Sequence, residues 1–85
     1  MKVQIKINEY QEEQGIRLEW EDNFEIACLI EGDTINIKAN NEGLFSLAKH
    51  LLTLAQNKIP TGRHLHFDDI NSLEEGSATL IIEKI

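Results

Sequence analysis

The hydrophobic period of this chain changes once, and that change fixes what it can fold into. Up to Ala39 apolar residues alternate with polar ones, the period of a half-buried strand; from Leu44 to Ala55 they recur every three or four residues, the period of a helix. Val3, Ile5 and Ile7 alternate with Lys2, Gln4 and Lys6, and Ile16, Leu18 and Trp20 with Arg17, Glu19 and Glu21, which predicts two strands around a polar loop. Phe24 to Ile30 is more continuously apolar and reads as a central strand covered on parts of both faces. Gly32-Asp33 then marks a two-residue hairpin into a fourth strand with Ile35, Ile37 and Ala39 on one face.

Leu44, Leu47, Ala48, Leu51, Leu54 and Ala55, widened by Phe45 and Leu52, predict one amphipathic helix with these residues turned inward. Asn40 or Asn41 suits its N-cap, and Pro60 requires it to end near Gln56 or Asn57. Alternation returns over Arg63 to Phe67 and Ala78 to Lys84. The predicted fold is α+β: a single domain over 1–85, with an antiparallel or mixed sheet of about six strands in the order ββββαββ and one helix on one face.

Charge narrows the function classes. Fifteen acidic against eight basic residues give a net charge of −7, which disfavours nucleic acid and anionic membrane as partners and suits a basic protein. The longest apolar run, Ile26 to Ile30, is too short to cross a bilayer, and the N-terminus has no signal-peptide pattern. The lone Cys28 lies inside that run and reads as an inert buried thiol in a reducing compartment, which predicts a cytoplasmic protein.

Two segments carry candidate chemistry. In Arg63-His64-Leu65-His66-Phe67-Asp68-Asp69, strand alternation puts His64, His66 and Asp68 on the face opposite Leu65 and Phe67, spaced by about 6.6 Å. That face can contact a partner, stay in water, or converge on a metal ion as in a small metal-dependent enzyme. His50, beside Lys49 on the helix, is expected to be exposed and to complete no site. The loop from Asp68 to Ser77 holds four carboxylates, Asp68, Asp69, Glu74 and Glu75, and two hydroxyls, Ser72 and Ser77. It lacks the residue order of a calcium loop, and nothing in it splits two carboxylates into acid and base. No cofactor is expected. A structural module in which a free sheet edge pairs with another copy is a further reading.

The string from Asn41 to Gln56, then Gly62 to Asp68, Ser72 to Ser77 and Leu80 to Lys84, resembles the immunity protein 32 family, small immunity proteins of bacterial polymorphic toxin systems. The resemblance covers residues 41 to 84, and His-x-His-x-Asp with Leu-Glu-Glu-Gly-Ser are its most specific parts. It implies a non-catalytic protein that binds and neutralises a cognate toxin in the bacterial cytoplasm, for instance a nuclease with a basic surface. The partner-binding residues it implies are His64, His66, Asp68, Asp69, Glu74, Glu75 and Ser77.

Overall fold

The computed structural model describes residues 1–85. Its regular elements are β1 (Ile26–Glu31), β2 (Thr34–Ala39), α1 (Asn41–Leu54), β3 (His64–Phe67) and β4 (Leu80–Glu83). The class is α+β with one helix, as expected, but four strands form two antiparallel pairs, β1–β2 and β3–β4, in place of one sheet of about six. At the first hairpin Gly32 alone takes a positive φ, 63°, the type II′ pattern in which glycine occupies the first central position.

The two pairs are joined through the loop before β4. Glu74 donates its N–H to the Ile26 carbonyl at 2.8 Å, and Ala78 donates to the Cys28 carbonyl at 2.7 Å. The Cys28 N–H donates in turn to Ser77 Oγ at 3.1 Å. On the far edge of β1 the Ile26 carbonyl and both backbone groups of Cys28 are thus satisfied by loop backbone and a hydroxyl.

The first two predicted strands, around residues 3–7 and 16–20, form no ladder, although the alternation survives in burial: Ile16, Leu18 and Trp20 are half-buried between exposed Arg17 and Glu19. Side chains of α1 and its flanks take the hydrogen bonds that a neighbouring strand would have taken. Tyr10 N–H donates to Gln56 Oε1 and Gln56 Nε2 to the Asn8 carbonyl, both at 2.9 Å. Ser46 Oγ accepts the Glu21 N–H at 2.9 Å. Asn40 accepts from the Glu25 N–H at 3.0 Å and donates to the Asn23 carbonyl at 2.9 Å. Buried backbone polar groups need partners but not strand partners.

Asn40 is the N-cap, its Oδ1 accepting the Gly43 N–H at 2.8 Å. The helix stops at Leu54, two residues short of the expected end. Its orientation also departs from expectation. Gly43, Ser46, His50, Thr53 and Leu54 are buried, whereas Leu44, Phe45, Leu51 and Leu52 are 46–55% exposed. The core instead gathers Tyr10, Ile26, Cys28, Leu54, Ile59, Leu65, Phe67 and Leu73, with Trp20 and Phe24 packed against it. Cys28 is a free, buried thiol, as read from its apolar surroundings. No helix is long and apolar enough to cross a membrane.

Candidate functional site

β3 holds the predicted polar face as alternation requires. Leu65 and Phe67 are buried, and His64 and His66 point outward, opposite Glu83 and Ile81 of β4 respectively. β3 ends at Phe67, because Asp68 turns its carboxylate back onto the chain. Asp68 Oδ1 accepts the Ile70 N–H at 3.0 Å and the Asn71 N–H at 2.9 Å. Its Oδ2 lies 3.1 Å from His66 Nε2. These backbone bonds, first the Asn71 N–H and then that of Ile70, hold the Asp68 carboxyl below the usual carboxylate range, with His66 adding to the effect. Asn71 completes the brace: its Oδ1 accepts the Asp68 N–H at 3.0 Å and its Nδ2 donates to the His66 carbonyl at 3.1 Å.

Within the expected partner-binding set the structure therefore separates two groups. His66 and Asp68 are bound into the turn that starts the loop, and Ser77 faces inward onto the Cys28 N–H. His64, Asp69, Glu74 and Glu75 stand in solvent. Asp69 Oδ2 accepts the Gly76 N–H at 3.3 Å, which closes the loop across its mouth, and Gly76 supplies a φ of 86° there. Leu73 is buried and pins the middle of the loop to the core. The result is an acidic surface fixed at both ends and at its centre.

A shallow cleft of about 210 Å³ lies beside this loop, lined by Leu18, Trp20, His66, Phe67, Asn71 and Ser72. Leu18, Trp20 and Phe67 form its apolar side, and His66, Asn71 and Ser72 its polar side. Leu18 and Trp20, on a segment read as an unrelated strand, are contributors that the loop sequence gave no sign of. No three His, Cys, Asp or Glu side chains converge to hold a metal ion, so the metal-site reading of His64, His66 and Asp68 has no geometric basis.

His50 corrects another expectation. It is 1% exposed, not solvated, and lies edge-on to Trp20 with ring centroids 4.2 Å apart and near Phe67 at 5.8 Å. Neither ring nitrogen has a protein partner. Burial, helped by the nearby Lys49 charge, lowers its pKa to about 4. The missed signal is the spacing Gly43, Ser46, His50, Thr53, a second stripe at helical period made of small and polar residues.

Fold and surface together define a small α+β domain that presents a braced acidic loop beside an apolar-floored cleft. Residues 34–85, more than half of the chain, match the family model described as immunity protein 32, and the chain belongs to that family. The match begins at β2 and takes in α1, β3, the acidic loop and β4. No curated protein and no solved structure matches the chain.

Proposed function

We propose that this protein neutralises a cognate bacterial toxin in the cytoplasm by binding it, without turning over a substrate. Family membership carries the reading, since an immunity protein implies a toxin partner. The contact surface is the loop from Asp68 to Ser77 with the cleft beside it. Asp69, Glu74 and Glu75 present charge to a basic toxin surface, such as the active site of a nuclease, in place of the phosphates it would otherwise meet. The cleft over Trp20 and Leu18 receives an apolar or aromatic anchor from the toxin. His66, Asp68 and Ser77 act by holding the loop in shape, so that little order has to be gained on binding.

The test is co-expression with the product of the neighbouring toxin gene. Restored growth and a co-purifying complex support the reading, and a charge-reversed double variant, Glu74→Lys with Glu75→Lys, should lose protection while keeping its fold. A neighbour that is harmless alone and never co-purifies would sink it.

A further inference from the structure

β2 has a free edge, and the hydrogen bonds of β1 show how that edge is built. The Ile26 and Cys28 backbone groups point away from β2, towards Glu74, Ser77 and Ala78. In an antiparallel ladder the direction alternates, so Ala27, Leu29 and Glu31 face Lys38, Asn36 and Thr34, their register partners. Ile35 and Ile37 must then direct both N–H and C=O outward, away from β1. β1 is the sole ladder partner of β2, and no loop or turn hydrogen bond goes to either residue. Both side chains are exposed, Ile35 at 66% and Ile37 at 44%. Natural edges are usually blunted by proline, a bulge or several charges, and Thr34 to Ala39 has only Lys38.

A row of unpaired backbone groups is satisfied by another extended strand. The charges identify which one. In a chain of net charge −7, β2 carries no acid of its own; Glu31 and Asp33 lie just before it and Lys38 near its end. An antiparallel copy of the same strand brings opposite charges together at both ends.

We propose that a second copy of this chain pairs with β2 along this edge, about a two-fold axis through Asn36. Ile35 of each copy then exchanges backbone hydrogen bonds with Ile37 of the other, and their side chains cover one another on the same face. Lys38 of one copy lies opposite Thr34 of the other. It shares a face with Glu31 there, about 10 Å away between Cα atoms across two strand spacings and within the combined reach of the two side chains. The two hairpins form one four-stranded sheet. The acidic loop flanks β1 on the opposite side and stays free, so this pairing does not depend on toxin binding.

Sedimentation velocity on the purified full chain, with no other protein present, tests it. The expected result is a reversible dimer at micromolar concentration. Ile37→Pro removes one outward N–H at an edge position that tolerates proline, and should raise the dimer Kd at least about tenfold with an unchanged circular dichroism spectrum. Lys38→Glu should weaken the dimer, and Glu31→Lys combined with it should restore it. Asn36→Cys should cross-link the dimer on mild oxidation, because residues facing each other on the axis have Cα atoms about 4.5 Å apart, within disulfide range. If Ile37→Pro does not fold, the charge swap and the cross-link decide. A monomer up to millimolar concentration overturns the proposal. So does a dimer that ignores the charge swap and fails to cross-link at 36, since another face then forms it. A chain that is monomeric alone but loses toxin binding in Ile37→Pro also overturns it, and assigns the edge to the toxin.

Discussion

Gly43 packs directly on the carbonyl of Glu25: a Cβ at this position would overlap that oxygen and lie 2.9 Å from Ile26 Cγ1. The contact fixes the first turn of α1 onto the start of β1 and sets which face of the helix turns inward. Glycine normally costs an exposed helix about 1 kcal/mol relative to alanine. Here the order reverses. Gly43→Ala should destabilise by about 1–3 kcal/mol, as overpacking does, read as a lower urea midpoint. A rise in stability would rule out this close approach of Gly43 to the Glu25 carbonyl.

His50 makes stability depend on pH. Its unfolded pKa is the ordinary 6.5 and its folded pKa about 4. As pH falls through this window the unfolded chain takes up a proton that the folded chain refuses, so stability is full above 6.5 and declines towards 4. The loss approaches about 3 kcal/mol by pH 4. Thermal or urea unfolding between pH 7.5 and 4 should show it, and His50→Phe should flatten the curve over that range. An equal decline in His50→Phe would assign the effect to other groups.

Ser77 is predicted to matter for the fold and not through contact with the toxin. Ser77→Ala removes the acceptor of the Cys28 N–H on β1. An unpaired amide there costs about 1–3 kcal/mol, and amide exchange at Cys28 should accelerate. Toxin affinity measured well below the unfolding transition should fall by up to about tenfold, because the free loop then has more order to gain on binding.

Glu74 and Glu75 should behave in the opposite way. Both are exposed and make no side-chain hydrogen bond within the chain. Glu74→Gln with Glu75→Gln should leave stability within about 0.5 kcal/mol and slow toxin association up to about tenfold at low salt, with the difference gone near 1 M salt. Stopped-flow association across a salt series separates this from a uniform loss of affinity. A rate that does not change at low salt would remove the electrostatic part of the proposed function.

The sequence told more about elements than about partners. Gly32-Asp33 located the first hairpin, Asn40 the helix N-cap, and the alternation through Leu65 and Phe67 which side of β3 is buried. Alternation states which side chains face the core, and it held for Ile16, Leu18 and Trp20; it does not state what the backbone pairs with, and there Ser46, Gln56 and Asn40 took the place of a strand. The helix carries two stripes at the same period, one of leucines and one of Gly43, Ser46, His50 and Thr53. Hydrophobicity favours the first, but close approach at Gly43 and the Ser46 hydrogen bond select the second. Both determinants depend on residues about twenty positions away, which local pattern does not reveal. In the loop the acidic residues were legible, while the inward turn of Ser77 and the cleft over Trp20 depended on tertiary contact.

The stitching of β1 to residues 74 and 78 also constrains when the molecule can exist. During synthesis the β1–β2 hairpin and α1 leave the ribosome early and can form locally. The far edge of β1, and with it Ile26 and Cys28, stays uncovered until Ala78 has emerged. Closure therefore follows translation of nearly all of these residues. A nascent chain stalled after Glu75 would carry the loop's charge and its local turn at Asp68, but not the contacts of Ser77 and Ala78 with β1 that fix its far end.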